Sequence, residues 1–495
     1  MTMRNIPSLR MPATMYFLIT VLVCAFVPLS RAQSALPNGA ILGVVGGVTR
    51  TRAVVGFRSQ QSAQVWVAYH RRRGGQQGFQ SNDPNLHYSK DRVVTSPSND
   101  FTGSITLSNL QEDTTYFYRI VINGVTQNVP REYEQMFRTF PRSGRVDFSV
   151  FSDTWVNGNG HTGQEYNRAA KSYESGGYYQ QSDRPLFALQ IGDFDHRNPL
   201  TLDDSRRMHR EMRDTRFQSG AQFTANILTK MCVAHMWDDH DYCTNDSDMY
   251  CPSKRTSTQA FREYYPGYAE ANPSYGLWYK FRAGDAELFV LDTRSRRDPN
   301  NSANTAAKSM LNGGGGIPND QLTWLLNGLR QSSATWKIIV SSTGGNLYAR
   351  LNTSTDNWRS FPSEVNRIRN FLQSNRIQNV VMISGDIHSG GGIDNGSNNV
   401  FGIPEMTVPH TNMPMQAPSH NMPWGVWSQG VLPGVNSQLQ GEGYASVSVN
   451  SNSLIFRTHD RDGRVRLRYS LQRRRSSGNL RGRIGAGSDE LFDGP

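Results

Sequence analysis

Three carboxylates and one imidazole occupy four consecutive positions near the middle of the chain: Asp238, Asp239, His240 and Asp241. Apolar residues precede them at 231–234, which is typical of a buried strand that runs out into a polar loop. An unpaired carboxylate is very costly to bury, and carboxylates with imidazoles are common ligands of divalent cations. The run therefore predicts a metal site, with an exposed acidic turn as the open alternative.

Three more apolar segments end in acidic residues, two of them with a histidine close by. These ends carry Asp153; Asp193 with His196; and Asp386 with His388. A single Asp at a strand end is usually structural. Four such ends in one chain favour a shared site, because ligands of α/β proteins bind outside the carboxyl ends of the strands.

The elements that must position these residues alternate between strands and helices, which predicts an α/β domain over residues 145–460. The predicted buried strands are 146–151, 185–191, 231–234, 287–291, 336–340 and 379–383. The predicted helices are 165–175, 319–330 and 363–374, and two closing antiparallel strands are predicted at 444–449 and 453–457.

Residues 36–140 predict a separate all-β domain of short alternating strands. The order of Leu110, Tyr116 and Tyr118 is similar to the end of a fibronectin type III-like sandwich, where a tyrosine closes a corner. A basic loop, Arg71–Arg73, interrupts this region. It could contact a polyanion or simply be solvated.

Both ends of the chain differ in composition from the rest. Residues 1–32 combine a basic start, the apolar run 16–27 and a small-residue cleavage pattern, which predicts a secretory signal peptide, with an uncleaved anchor as the alternative. Residues 473–495 are rich in Arg, Gly and Ser and predict a disordered tail. We therefore expect a secreted protein whose mature chain has no membrane span.

Net charge and cysteine content say little about which ligand the protein binds or which compartment it occupies. The formal net charge is +11 and the sequence pI about 9.5, so the surface should attract anions without choosing among them. Cys243 and Cys251 are close enough to pair in an oxidising compartment. Cys232 lies in an apolar strand and is expected to be a buried, inert thiol.

Several motifs together resemble one family. They are Gly192-Asp193; Trp237-Asp-Asp-His-Asp-Tyr242 with Asn245-Asp-Ser-Asp248; Phe261-Arg-Glu-Tyr-Tyr-Pro266; Leu291-Asp-Thr-Arg294; and Ser384-Gly-Asp-Ile-His388. Over roughly residues 36–460 the chain is similar to the alkaline phosphatase D (PhoD-like) type of the calcineurin-like metallophosphoesterases. This resemblance implies a four-layer α/β/β/α sandwich with a two-metal centre, preceded by a small β domain.

The resemblance also implies roles for individual residues. Asp193 would bridge two metals; Asp153, His196 and His388 would complete one site; Asp239 and Asp386 would serve the other. His240 would be an acid or a contact to the phosphoryl group rather than a ligand. Family members can carry a Cys and a Tyr where this chain has Asp153 and His196, and these replacements remove the ligands that favour ferric iron.

Ligand chemistry then limits the metals. Carboxylates with imidazoles suit Zn, Mn or Fe(II) at the first site, and a nearly all-oxygen second site suits Ca, Mg or Mn. Arg294, Arg197 and Asn245 are candidates for binding the substrate phosphate, with structural ion pairs as an equal alternative for the two arginines. Asp195 and Asp241 are candidates for orienting histidines.

The leading hypothesis is a secreted, metal-dependent phosphoesterase that acts on small phosphomonoesters or phosphodiesters through a water activated by two metals. A second hypothesis is an extracellular binding protein on a degenerate hydrolase, held to an anionic polymer by its Arg-rich segments. A third is a nuclease or phospholipase on the same site, since the chemistry needs only a phosphodiester.

Overall fold

The computed structural model describes residues 41–154, 185–215, 218–347, 356–386, 391–411, 426–432 and 442–474. The predicted signal peptide, the predicted helix at 165–175, His388 and all of the predicted tail beyond residue 474 lie outside the described residues.

Nine short strands form two antiparallel sheets at the N-terminal end of the described chain. They are β1 Ile41–Gly46, β2 Arg52–Arg58, β3 Gln64–Arg71, β4 His87–Tyr88, β5 Val93–Val94, β6 Thr102–Ser108, β7 Thr115–Ile122, β8 Val125–Thr126 and β9 Met136–Arg138. One sheet has the order β1-β2-β6, and the other has the order β4-β3-β7-β8 with β5 on β3 and β9 on β7. This region contains strands without an α-helix, as its alternating sequence predicts.

The side chain of Tyr116 closes a corner in the second sheet. Its hydroxyl oxygen accepts a hydrogen bond from the backbone N–H of Gln111 at 2.8 Å, five residues earlier in the chain. The hydroxyl of Tyr118 reaches back further and donates to the carbonyl of Gly43 at 2.8 Å. Both tyrosines are buried, so these bonds satisfy polar atoms that would otherwise be costly to remove from water.

Twelve further strands form two six-stranded sheets. They are β10 Val146–Phe151, β11 Phe187–Ile191, β12 Cys232–Met236, β13 Tyr279–Ala283, β14 Ala286–Val290, β15 Trp336–Ser341, β16 Val380–Ser384, β17 Gly392–Asp394, β18 Glu405–Thr407, β19 Gly443–Val449, β20 Ser453–Asp460 and β21 Val465–Gln472. One sheet has the order β12-β11-β10-β19-β20-β21, and the other β13-β14-β15-β16-β18-β17. In the first sheet β12, β11 and β10 run parallel and β19 is antiparallel to β10, whereas in the second sheet the four central strands run parallel. Within each parallel set the carboxyl ends lie on the same side.

Apolar side chains fill the space between these two sheets and cover their outer faces. Those between the sheets include Leu189, Ala234, Leu288, Ile338 and Val447. The α-helices are α1 Leu202–Glu211, α2 Gln218–Phe223, α3 Asp239–Tyr242, α4 Lys254–Tyr264, α5 Gln321–Gln331 and α6 Pro362–Ser374. Residues of α5 and α6 pack on Phe289 and Ile339 of one sheet, and residues near α1 and α2 pack on Phe151 and Ala188 of the other.

The predicted helices and strands of this part that the structure describes are all present, with small shifts at their ends. Helix α5 begins at Gln321 because the side chain of Asp320 accepts the Thr323 amide and caps it. Helix α6 begins at Pro362, whose fixed φ suits a first helical position. Helices α1 to α4 and strands β13, β17, β18 and β21 were not predicted from the sequence, and α3 replaces the polar loop expected after β12. No described helix has both the length and the apolar composition that a membrane crossing requires.

Ion pairs fasten the N-terminal sheets to the rest of the chain. Asp100, from the loop before β6, accepts from Arg58 at 2.9 Å, from Arg210 of α1 at 2.5 Å and from the Tyr264 hydroxyl. Arg206 of α1 donates to the carbonyl of Ser98 at 2.7 Å. The two parts therefore meet along α1 and α4 in a polar, hydrogen-bonded interface.

Candidate metal centre

Three strand ends share an unusual backbone conformation that directs an aspartate away from its strand. Asp153 after β10, Asp193 after β11 and Asp386 after β16 have φ of 52, 48 and 65°, in the left-handed region. Asp tolerates this region better than most residues, because its short side chain can hydrogen-bond locally. The chain therefore turns sharply at these ends and leaves three buried carboxylates at the edge of the sheets.

Gly192 is required by the close approach of two strand ends. Its φ is +100°, and a Cβ added there would lie 2.6 Å from the Cβ of Asp238 and 2.9 Å from the Asp238 nitrogen. Any side chain would push β11 away from the loop after β12. The Gly-Asp pair thus brings Asp193 against the acidic run that follows β12.

His196 is held so that one ring nitrogen faces Asp193. Its Nδ1 lies 3.0 Å from the carbonyl oxygen of Thr154, an atom that can only accept, so Nδ1 carries the hydrogen. Nε2 then lies 3.1 Å from Asp193 Oδ2. Two acceptor atoms at this distance need a shared proton or cation between them. Metal-binding histidines are normally oriented in this way, with the nitrogen that does not bind the metal donating its N–H to a carbonyl or carboxylate oxygen.

The acidic run forms the short helix α3 and its cap. Asp238 is the N-cap, and the side chain of Asp241 accepts the Asp238 amide at 3.1 Å, completing a capping box. Asp241 also accepts the Phe194 amide at 2.8 Å, which ties this turn to the Gly192–Asp193 loop. Asp239 accepts the amides of His240 at 2.9 Å and Asp246 at 2.6 Å.

Arg294 lies fully buried inside the cluster of carboxylates. It donates through Nε to Asp238, and its Nη1 and Nη2 bind Asp356 at 3.2 and 3.0 Å. Its Nη2 also lies 3.7 Å from Asp239 and 3.9 Å from Asp386. The guanidinium therefore lies within 4 Å of four carboxylates and neutralises part of their charge, as a structural counter-ion does.

The carboxylates and imidazoles form three groups whose ligand atoms lie within 4.8 Å of one another. The groups are Asp193, His196 and His240; Asp193, Asp238, Asp239 and Asp386; and Asp239, Asp246 and Asp356. Asp193 belongs to the first two groups and so joins the nitrogen-containing cluster to the all-carboxylate cluster. The donor atoms suit a nitrogen-rich cation site beside an oxygen-only one.

Among the described residues, this cluster carries more negative charge than the buried arginines beside it neutralise. Five buried carboxylates (Asp193, Asp238, Asp239, Asp356 and Asp386) meet two buried guanidinium groups (Arg294 and Arg297), a formal excess of three negative charges. Burial, aided by Asp239 and Asp193, raises the pKa of Asp238 to about 8 against the opposing effect of Arg294. An excess of buried charge of this size requires bound protons or cations, so the residues present fit divalent metals.

His240 is placed differently from His196. Its Nδ1 lies 2.6 Å from the side-chain oxygen of Asn198, and its ring centre lies 4.5 Å from that of His196. The residue is partly exposed, whereas the carboxylates around it are buried. With Nδ1 held by an amide oxygen, Nε2 is the nitrogen left to meet a ligand or substrate.

The other predicted site residues are distributed unevenly around this centre. Asp153 is fully buried after β10 but belongs to none of the three groups found among the described residues, and His388 lies outside those residues. Asn245 is exposed in the turn before Asp246. Arg197 is paired with Asp195 at 2.8 Å and with Glu211.

Two expectations about supporting residues are corrected by these contacts. Asp195 accepts from the backbone and side chain of Arg197 at 3.1 and 2.8 Å, and Asp241 accepts from two backbone amides, so neither is hydrogen-bonded to a histidine among the described residues. Both arginines proposed as phosphate contacts are in ion pairs. Arg294 in particular is completely buried, which favours the structural alternative for it.

Four residues near the centre were given no individual role from the sequence: Asp238, Asp246, Asp356 and Asn198. Asp238 and Asp246 lie inside the acidic motifs, so the excess of carboxylates in those motifs was a usable signal. Asn198 follows His196 by two residues and could have been found as a neighbour. Asp356 meets Arg294 from 62 residues away, and nothing in its local sequence indicates this contact.

The loop that follows α3 is closed by a disulfide between Cys243 and Cys251, as their spacing suggested. Inside this loop the amide of Asp246 donates to Asp239, so the bond ties down a segment that contacts the acidic cluster directly. Cys232 is a free, buried cysteine, and burial raises the pKa of its thiol to about 12, which agrees with an inert role.

The chain is similar in sequence to known phosphatases. The family model for PhoD-like phosphatases matches residues 126–398. Alkaline phosphatase D of Bacillus subtilis (strain 168) is 28% identical over 220 residues, which are 38% of this chain and 36% of that protein. The aligned part thus spans about a third of that relative's length.

Two solved structures share the fold across most of the chain. A structure of PhoD superposes with a TM-score of 0.64 and 17% identity, covering 89% of this chain and 92% of that one. The purple acid phosphatase PPD1 from yellow lupin (Lupinus luteus) gives 0.60 and 13%, covering 88% and 75%. These likenesses establish an α/β fold of the phosphoesterase type.

Proposed function

Because the chain belongs to the PhoD-like phosphatase family, we propose that it is a secreted, metal-dependent phosphoesterase that hydrolyses phosphomonoesters or phosphodiesters. The observation that carries this proposal is the position of Asp193, shared between a carboxylate–imidazole group and an all-carboxylate group. A bridging carboxylate between two cations is the arrangement that a dinuclear hydrolytic centre needs. Secretion is proposed from residues 1–32, and it agrees with the disulfide near the centre.

We assign the proposed ligands from these groups and from the sequence. Asp193 and His196, with Asp153 and His388 from the sequence prediction, would hold a Zn, Mn or Fe ion, and Asp193, Asp239 and Asp386 would hold a Ca, Mg or Mn ion. Asp238 is added to the second set because its carboxylate lies in the same group. Two such cations, when bound, supply an activated water and charge neutralisation for phosphoryl transfer.

The side chain proposed to act on the substrate is His240. Nδ1 donates to the Asn198 oxygen and so fixes the ring, and in the imidazolium form Nε2–H can give its proton to the leaving oxygen or donate a hydrogen bond to a phosphoryl oxygen. The exposure of His240 beside the buried carboxylates supports a position on the substrate side of the centre. Asn245, exposed on the neighbouring turn, remains proposed as a contact to the substrate.

The proposed architecture is a small fibronectin type III-like domain at 36–140 and a four-layer α/β/β/α catalytic domain at 145–460. The apolar clusters between the two six-stranded sheets and on their outer faces support the four layers. The contact of Tyr116 with Gln111 supports the sandwich. Strand β21 extends the sheet beyond residue 460.

Removal of metal is the first test of this function. We expect the purified protein to release phosphate from an aryl phosphate, to lose this activity on exhaustive chelation and to regain it when Zn, Mn or Fe(II) is added together with Ca, Mg or Mn. Rates on the monoester and on the matching diester would then give the ester preference. No turnover with any of these cations would contradict the proposal and favour a binding protein on the same fold.

A second prediction concerns His240. Replacement by Gln should lower turnover of an alkyl phosphate about 10²- to 10⁴-fold, because proton donation to a poor leaving group is lost. Turnover of 4-nitrophenyl phosphate should fall much less, since its leaving group needs little protonation. Metal content, measured by elemental analysis, should not change.

The matched control is Asn198→Ala, which frees Nδ1 but keeps the imidazole. This variant should turn over the alkyl phosphate about 10- to 100-fold more slowly than the parent protein. Equal losses on both esters, or loss of metal from His240→Gln, would instead make His240 a ligand.

A further inference from the structure

A cleft lined by both polar and apolar groups lies between the N-terminal sheets and α4, apart from the acidic cluster. Its volume is about 820 Å³, within the usual range for ligand sites, and such sites occur preferentially where domains meet. One wall comes from β2, β6 and the turn before β6, and the other from α4 and the loops at 273–276 and Ser295. None of its lining residues belongs to the three groups of potential metal ligands.

The charges along the cleft do not cancel. Arg262 is neutralised by Glu270 at 2.9 and 2.5 Å, and Glu263 is neutralised by Arg206 at 2.7 and 2.8 Å. Two cations then remain, Lys254 and Arg255, and neither forms an ion pair with any carboxylate in the described part of the chain.

Lys254 is the more informative of these two residues. Its ammonium is partly buried and donates to the carbonyl of Ser295, a neutral partner. Burial lowers the pKa of Lys254 below its ordinary value, a sign that the charge lacks full compensation. The acid that acts on it from a distance, Asp292, already accepts from Trp237, Leu277, Arg294 and Ser295.

The helix that carries these cations adds a positive field of its own. Helix α4 has eleven residues with no acidic residue in its first turn, and Ser253 at its N-cap makes no capping bond with its side chain. The Ser253 hydroxyl instead donates to the carbonyl of Tyr242 at 3.2 Å. An uncapped helix N-terminus, joined by two unpaired cations, attracts oxyanions.

We propose that this cleft is a second binding site, specific for a tetrahedral oxyanion of the phosphate class, in which Lys254 and Arg255 hold the anion. Thr258 and Gln259, one turn further along α4, line the same wall and supply neutral hydrogen-bonding groups. The anion can be free phosphate or a phosphate group on a larger molecule, since both offer the same oxygens. The proposal does not depend on the catalytic function.

The test uses inorganic phosphate and the full chain carrying Asp193→Asn, freed of metal with a chelator. Without cations the described part of the acidic cluster still has more carboxylates than guanidinium groups, which disfavours phosphate there, so calorimetric titration at fixed salt reports on the cleft. We expect one phosphate per chain, with sulfate competing. Adding Lys254→Met and Arg255→Gln should weaken binding at least about tenfold.

Two further variants separate charge from shape. Arg330→Gln with Arg369→Gln removes the same charge from exposed positions on α5 and α6 and should change the affinity by about twofold at most. Thr258→Trp keeps every charge, fills the cleft and should also abolish binding. If an organic phosphate ester competes with inorganic phosphate, the cleft accepts a phosphate group on a larger molecule. If the ester does not compete while inorganic phosphate binds, the ligand is the free anion.

The proposal is overturned if phosphate does not bind the Asp193→Asn chain, or if both double variants weaken binding equally. Either result would leave hydrolysis by the wild-type protein untouched. Failure of hydrolysis with phosphate still bound in the cleft would leave the cleft proposal standing.

Discussion

We expect the Asp193→Asn variant to release phosphate at least about 1000-fold more slowly than the parent protein. This carboxylate is shared between the two groups of potential ligands, so its loss weakens both at once, and a loss of about 4 kcal/mol in transition-state stabilisation corresponds to that factor. The measurement is the steady-state rate on an aryl phosphate, paired with elemental analysis of the same sample. Metal content should fall together with the rate.

Asn keeps the size and shape of the side chain, which protects the fold in this experiment. The matched control is Asp285→Asn, a buried aspartate in the turn between β13 and β14 that belongs to none of the three groups. It should keep both metal and rate. A fully active Asp193→Asn protein with its metals retained would remove the basis of the proposed two-metal centre.

Replacing Arg294 with Leu should destabilise the metal-free protein by about 3 to 5 kcal/mol. The guanidinium is fully buried and binds Asp238 and Asp356, so its removal takes the ion pair from Asp238 and leaves Asp356 with Arg297 alone. The measurement is the free energy of unfolding from denaturant titration after chelation. Added divalent cation should restore part of the loss, because the freed carboxylates can bind it instead.

Arg282→Leu, at an exposed position of β13, provides the comparison and should change stability by about 0.5 kcal/mol at most. Arg294→Lys should fall between the two, since a lysine keeps the charge but cannot bind two carboxylates through a planar fork. If Arg294→Leu unfolds like the parent protein and only substrate affinity drops, Arg294 contacts substrate and its assignment as a counter-ion is wrong.

The strand ends were predictable from sequence because their signal is local. An apolar run that stops at an acidic residue identifies both the strand and its polar end, and this holds for Asp153, Asp193 and Asp386. Helices α5 and α6 were equally clear, since a proline and an apolar period mark each of them. The strands that bring these carboxylates together could therefore be predicted from the sequence alone.

The role of Arg294 was not predictable, because it depends on contacts made across the fold. Its partners Asp238 and Asp356 lie 56 and 62 residues away in the sequence. An arginine beside a proposed phosphate site is equally consistent with binding substrate or neutralising a neighbour. Only burial, which the local sequence does not determine at this position, decides between the two.

Strand β21 shows a different kind of failure. Its residues Val465, Leu467, Tyr469 and Leu471 alternate with polar ones, and three of these four pack against the core from the edge of the sheet. The pattern predicts a half-buried strand, but the arginines between the apolar residues and the Arg-rich run from 473 onward drew attention to the tail. The alternation of apolar and polar residues over 465–471 was therefore not used to predict a strand.

The Cys243–Cys251 bond has a consequence for the order in which the protein matures. The bond closes a ring over residues eight apart, and closing that ring removes conformational freedom from the segment before any cation arrives. The amide of Asp246 is thereby kept against Asp239 in advance, so cation uptake does not have to order this loop. If the acidic cluster binds cations as proposed, oxidation of the two thiols orders one side of that site in advance, and we expect the reduced chain to bind cations less tightly than the oxidised one.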